Sequence, residues 1–447
     1  MTKTVIVGSN HAGIAAANAI LDNYEGNEVV MIDRNSNLSY LGCGTALWVG
    51  RQIGGYDKLF YTNEQAFRDK GARILMETSV ESIDFDAKVV HAVAKDGSAV
   101  DETYDNLILA TGSVPINPNV PGNDLDGIHF LKLFQEGQEV DAEFAKDSVK
   151  TVAVIGAGYI GVEIAEAAAR RGKKVLLFDM APTSLSSYYD REFCDRMDAV
   201  LDRLGIETHF GELVTEYKGN DEGRVSGIVS AAGEYQVDTV INAIGFLPNN
   251  ALGRDHLKLF ANGAYLVDRH QRTSDPNVFA VGDCATVYSN ALRADAYIAL
   301  ATNAVRSGIV AGHNAAGTPL ESIGVQGSNG ISIGGYNMVS TGLSVTAAEK
   351  AGLEVEHADF EDLQKPPFMP EGENAEVKLR IVYEKSSRRV VGAQMASTLD
   401  ISMGIHMFSL AIEEGVTIDK LKLLDIFFLP HFNQPYNYIT MCALGAK

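Results

Sequence analysis

Cys43 stands in the run Ser39-Tyr40-Leu41-Gly42-Cys43-Gly44-Thr45-Ala46-Leu47-Trp48, between two glycine-rich turns and with no second cysteine nearby to form a disulfide. A thiolate in an electropositive pocket attacks the O–O bond of a peroxide and becomes sulfenic acid, and a two-electron donor restores it. A single sulfur suffices for that cycle. His11 opens the helix after the first glycine turn, where an imidazole could support a thiolate or shuttle a proton. The plainer alternatives are a buried small hydrophobe for Cys43 and a hydrogen-bonded loop residue for His11.

The elements that must position these groups are visible on either side. Residues 4–33 read as a strand, the turn Gly8-Ser9-Asn10-His11-Ala12-Gly13, an alanine-rich helix and a second strand ending in Asp33. In such a βαβ unit the turn glycines let the backbone approach a pyrophosphate at the helix N-terminus, and a carboxylate about twenty residues on can bond a ribose hydroxyl. Asn10 replaces the middle glycine, which weakens this copy taken alone. The second copy, Gly156-Ala157-Gly158-Tyr159-Ile160-Gly161, keeps all three glycines between a strand and an alanine-rich helix, and its second strand closes on Asp179. A carboxylate there accepts ribose hydroxyls and repels a 2′-phosphate, so NADH is favoured over NADPH.

Two further strands run into glycine turns, at 107–113 and 273–283, and the second ends on Asp283, where a flavin's ribityl chain could be held. The alternative for Asp283 is a helix N-cap. The order of motifs predicts an FAD-binding domain over 1–118 and 245–321, an NAD-binding domain over 119–244 inserted into it, and a third domain over 322–447. From about residue 322 the strand-to-glycine-turn signals stop. A hairpin of 377–383 with 389–394 follows, with amphipathic helices at 403–414 and 418–424 to cover it and a surface loop at 365–370. The fold class is α/β, with two Rossmann-like domains and an α+β C-terminal domain whose expected job is self-association.

The 447 residues exceed one ordinary core, and a net charge of −21 would repel nucleic acid and anionic lipid alike. Cys43, Cys194, Cys284 and Cys442 lie far apart, with neither metal-site pairs nor the density of a secreted scaffold. The expectations are therefore no metal, no nucleic acid, no membrane and a reducing cytoplasm. The chain opens on a strand rather than a secretory signal. The longest apolar stretch, 152–169, contains Glu163 and Glu166 and reads as strand plus helix.

Taken together, the motifs resemble the two-dinucleotide flavoprotein disulfide reductases, in particular the single-cysteine branch of NADH oxidases, NADH peroxidases and coenzyme A disulfide reductases. The likeness spans nearly the whole chain. It looks closest to the water-forming NADH oxidases through Leu41-Gly42-Cys43-Gly44 with Ala46-Leu47-Trp48, through Ala299-Leu300-Ala301-Thr302-Asn303-Ala304, and through Gly324-Val325-Gln326-Gly327-Ser328-Asn329-Gly330. The branch likewise lacks the middle glycine of the first turn, and Trp48 stands where the two-cysteine relatives carry their second thiol.

The resemblance implies that Cys43 is the redox cysteine and His11 the histidine beside it. It assigns FAD contacts to Gly8, Asp33, Thr111, Gly112 and Asp283, more loosely Lys132, and NADH contacts to Ile160, Asp179, Tyr188, Gly245 and Gly330. The wider cofactor-binding set takes in Ser9, Asn10, Ala12, Cys43, Ala110, Ser113, Tyr159, Ala299, Leu300 and Ala301. Tyr159 would shield the flavin face. Glu163 sits either near the nicotinamide or on a helix surface, Cys284 reads as inert, and His431, in a segment resembling one that reaches a partner subunit, is assigned no role.

The implied activity is reduction of oxygen to water by four electrons from two NADH. Peroxide reduction and coenzyme A disulfide reduction are the alternatives, with O2 or H2O2 as the small-molecule substrate of the first two. A non-catalytic redox sensor is the reading from another class. A homodimer is expected, with a tetramer as its alternative.

Overall fold

The computed structural model describes residues 2–370 and 372–447. Its first sheet is parallel, in the order Val278–Ala280, Asn106–Leu109, Thr2–Val7, Asn27–Ile32, Arg73–Leu75. Val5, Ile6, Val29, Val30, Leu107 and Ile108 are fully buried, as a sheet covered on both faces requires of its apolar runs. One of those covers is the helix His11–Asn23, which lies along the helix Ala301–Ala315.

Between Leu109 and Val278 the chain builds a second parallel sheet, in the order Ile206–Phe210, Lys174–Asp179, Thr151–Ile155, Thr239–Asn242, Ile128–His129. The outgoing and returning segments pair with each other, Ser113–Pro115 antiparallel to Phe246–Pro248. Each sheet turns into its first helix through one glycine held left-handed, Gly8 at φ +113° and Gly156 at φ +101°. A Cβ on Gly8 would strike the Ala110 carbonyl oxygen, and one on Gly156 that of Ala243. Only glycine lets the strand, the turn and its neighbour come this close.

The third sheet is antiparallel, in the order Asn329–Ile333, Tyr336–Gly342, Val390–Ser397, Glu376–Glu384, Val355–Leu363. The expected hairpin is its centre. The glycine signals do not stop at residue 322, however: Gly334 and Gly335, both at positive φ, turn the first hairpin of this sheet, whose short strand Asn329–Ile333 was not read.

The helices also differ from expectation. Asp400 accepts the Ser402 backbone N–H and hydroxyl, which folds Ser402–Gly404 into a separate turn, so the helix starts at Ile405 and runs to Glu413. Its stripe Ile405, Phe408, Ala411, Ile412 is buried against the strands Tyr336–Gly342 and Val390–Ser397. The stretch 418–424 forms only the single turn Ile418–Leu421, and an unforeseen helix, Tyr438–Leu444, covers the strands Val355–Leu363 and Glu376–Glu384. Among the described residues no helix is long and apolar enough to cross a membrane.

Candidate active site

Cys43 is the middle residue of a 3₁₀ turn, Gly42–Gly44, that leads directly into the helix Thr45–Val49. Thr45 fixes this turn by donating its hydroxyl to the Gly42 carbonyl at 2.7 Å, while Tyr40 hydrogen-bonds to Thr45 from the other side. The sulfur is the only one of the four cysteine side chains left exposed; Cys194, Cys284 and Cys442 are buried. Trp48 is packed away beneath Tyr56 and Phe134.

Although exposed on one side, the thiol is surrounded by enough protein that burial is the largest influence on it, pushing its pKa up. Glu163 and Asp283 push the same way, and Lys132 is the cation that opposes them. The expectation of an electropositive pocket is therefore corrected. The chain alone surrounds this sulfur with two carboxylates and one ammonium, contributed by three separate segments.

Lys132 Nζ donates to Ser113 Oγ at 2.5 Å and lies 3.2 Å from Asp283 Oδ2, which also accepts the Ser113 hydroxyl at 2.9 Å. This closed triangle holds three of the sequence-derived cofactor residues together. Asp283 lies in the turn Gly282–Cys284 and a strand, Val287–Ser289, follows it, so the helix N-cap alternative does not hold. Beside it, Thr111 donates to the Asn249 carbonyl at 2.6 Å, and Tyr297, which the sequence reading missed, donates to the Asp283 carbonyl at 2.9 Å. Ala299 and Leu300 lead into the helix that begins at Ala301, and that helix packs against the Asp283 turn.

His11 is the first residue of its helix, where Asn10 and Ala12 flank it. Its Nδ1 lies 3.0 Å from the Tyr61 hydroxyl and the two rings stack at 5.7 Å. Burial lowers the imidazole's pKa and Asp283 raises it. No hydrogen bond joins His11 to Cys43 among the described residues; what they share is Asp283, which acts on both. Tyr61 had no sequence signal. Both rings line a cavity of about 630 Å³ between the helices His11–Asn23 and Ala301–Ala315.

The two carboxylates at the strand ends close their turns. Asp33 accepts the Ser9 backbone N–H at 2.7 Å and its hydroxyl at 2.8 Å, and Asp179 accepts the Ala157 N–H at 2.6 Å and the Ala181 N–H at 2.7 Å. Each turn thus presents a glycine cradle, a helix N-terminus and an acidic edge, which fits the phosphates and ribose of a dinucleotide. Among the described residues no lysine or arginine forms an ion pair with Asp179, whose carboxylate would repel a 2′-phosphate.

Ile160 and Tyr159 open the helix Tyr159–Arg170, and the Tyr159 ring lies 4.3 Å from that of Tyr188. The Tyr159 hydroxyl bonds to Tyr189 at 3.0 Å and to Asn329, the neighbour of Gly330 on the third sheet. Asn329 stands in the run Gly324-Val325-Gln326-Gly327-Ser328-Asn329-Gly330, whereas Tyr189 carries no sequence signal. Gly245, at φ +108°, begins the return to the first sheet. Glu163, one turn beyond Tyr159, is half-buried, and burial together with Glu166 raises its carboxyl to about 7.

Two such turns on two parallel sheets, with a lone thiol beside the Asp283 edge, define a two-dinucleotide oxidoreductase. The chain belongs to the pyridine nucleotide-disulphide oxidoreductase family, whose model matches residues 2–308, and the dimerisation domain of that family matches residues 331–437. It is 65% identical to the NADH oxidase of Lactococcus lactis subsp. cremoris and 54% identical to that of Streptococcus pyogenes, with 100% of each chain covered in both cases. Among solved structures, the water-forming NADH oxidase from Lactobacillus brevis bound to NADH matches at a TM-score of 0.96 and 34% identity, covering 99% of this chain and 98% of that one.

Proposed function

We propose that the chain is an FAD-dependent NADH oxidase that reduces oxygen to water by four electrons from two NADH, with Cys43 cycling between thiolate and sulfenic acid. The observation that carries this reading is the single exposed thiol, set beside the Lys132–Ser113–Asp283 triangle while every other cysteine is buried. When bound, FAD accepts hydride from NADH and supplies electrons in pairs to oxygen and to sulfur.

The chain's own residues hold the reactants and handle the peroxide stage. The Gly8 turn, Asp33, Thr111, Gly112 and Asp283 hold FAD, while the Gly156 turn, Ile160, Asp179, Tyr188, Gly245 and Gly330 hold NADH. The Cys43 thiolate attacks hydrogen peroxide: an S–O bond forms, the O–O bond breaks, and the departing hydroxide takes a proton to leave as water. Two electrons then break the S–O bond of the sulfenic acid, releasing its oxygen as hydroxide, which one proton converts to water, and restoring the thiolate. Burial favours the neutral form of the His11 imidazole, from which it can relay protons between solvent and this site.

The dimerisation domain and the exposed apolar side chains of Leu423, Phe427, Phe432 and Tyr436 support a homodimer, and the four widely spaced cysteines suit a reducing cytoplasm. An oxygen electrode with added NADH tests the activity. Oxygen consumption at one O2 for every two NADH, with no peroxide left, is the expected result. No oxygen uptake, with loss of NADH only when hydrogen peroxide is added, would make the chain a peroxidase and overturn the reading.

A further inference from the structure

The loop from Asp179 to the helix Arg191–Arg203 carries Tyr188 and Tyr189, and it is tied to the second glycine turn by the Leu185 N–H, which donates to the Ala157 carbonyl at 2.8 Å. The loop ends in Asp190, whose side chain is buried and takes no part in the proposed chemistry. Among the described residues, the polar contacts that its carboxylate makes come from the C-terminal region. Gln394 donates its amide at 2.7 Å, Val345 and Thr346 donate backbone N–H groups at 3.1 and 3.2 Å, the Thr346 hydroxyl lies at 3.3 Å, and Arg380 Nη1 stands 3.3 Å away. Gln394 completes the grip by accepting the Asp190 backbone N–H at 2.8 Å.

A buried carboxylate is costly unless it is paired, so moving this loop end means breaking several of those contacts together. Tyr189, the preceding residue, is fully buried and bonds to Tyr159, and Tyr188 packs its ring on Tyr159. The position of both tyrosines beside the Gly156 turn is thus inherited from a sheet outside the module that carries that turn.

We propose that Asp190 is a positioning residue for NADH: by gripping Asp190, the C-terminal sheet holds the tyrosine loop against the Gly156 turn and sets the affinity for the nucleotide. The inference rests on the reading of that turn as the NADH site. It gives the C-terminal domain a second job beside self-association.

The test compares the FAD-loaded parent with Asp190→Asn and Gln394→Met, two substitutions close to the originals in size, and with Glu192→Gln, which alters the same Arg380 network from its exposed side. NADH binding is read by titration calorimetry and by the split of KM from kcat. Asp190→Asn and Gln394→Met should each raise Kd and KM for NADH by about tenfold, with kcat at saturating NADH and FAD content kept, while Glu192→Gln leaves all four unchanged. Should Asp190→Asn fail to fold, Gln394→Met carries the test, because it removes the two Gln394 contacts of the grip without removing the charge. A Kd within about twofold of the parent in the folded variants overturns the proposal. A parent protein that binds no NADH would instead count against the function reading itself.

Discussion

Lys132 and Asp283 meet at 3.2 Å, and they act on the Cys43 thiol in opposite directions, the ammonium favouring its ionisation and the carboxylate opposing it. Glu163 joins Asp283 in opposing ionisation, while a backbone hydrogen bond at Cys43 and Lys132, the one cation, favour it. This balance can be shifted one residue at a time.

Removing the cation should shut the sulfur down first. Lys132→Met removes the one cation set against Asp283 and Glu163 and leaves only the backbone hydrogen bond at Cys43 favouring ionisation, so the pH profile of Cys43 alkylation should move to higher pH and the rate at neutral pH should fall by on the order of 3-fold. The profile is measured with iodoacetamide and mass spectrometry. A profile unchanged from the parent would mean that Lys132 does not act on the thiol.

Glu163 gives a stability prediction with a definite sign. Its carboxyl is raised to about 7 by burial and by Glu166, so between its ordinary range and pH 7 the folded protein holds a proton that the unfolded chain has lost. Stability therefore declines as pH rises through that window, and the penalty is complete above it. Glu163→Gln should be close to the parent near pH 4.5 and more stable at pH 8, by on the order of 1–3 kcal/mol after allowance for partial solvent access. Urea unfolding at the two pH values checks this; equal midpoints at pH 8 would contradict it.

The first glycine turn separates cofactor loading from the rest of the fold. Gly8→Ala places a Cβ against the Ala110 carbonyl oxygen and forces alanine to φ +113°, a strain of about 1–3 kcal/mol before the clash is counted. The purified variant should carry little flavin, measured by the visible absorbance of released cofactor, while binding of NADH at the Gly156 turn survives. Full flavin content would show that this turn does not cradle FAD.

Both βαβ units could be read from sequence because strand, glycine turn, alanine-rich helix and acidic strand end follow one another within about thirty residues, so each motif carries its own context. The thiol was legible for the same local reason. Its electrostatic surroundings were not, since Glu163, Asp283 and Lys132 come from distant segments and which face of the helix Tyr159–Arg170 meets Cys43 is decided by packing. The grip on Asp190 by Gln394 and Arg380 spans some two hundred residues, with no periodicity to announce it. The helix Tyr438–Leu444 was missed because its buried side chains, Ile439, Cys442 and Ala443, give too short a stripe to stand out.

In the proposed cycle Cys43 disposes of the peroxide formed in the same protein. Hydrogen peroxide released per NADH consumed, measured for the parent and for Cys43→Ser under air, tests it most directly. The parent should release almost none, whereas the variant should still consume NADH and oxygen but release about one hydrogen peroxide per NADH, because the sulfur that destroys it is gone. A Cys43→Ser protein that still makes only water would show that Cys43 is not the peroxide-reducing group.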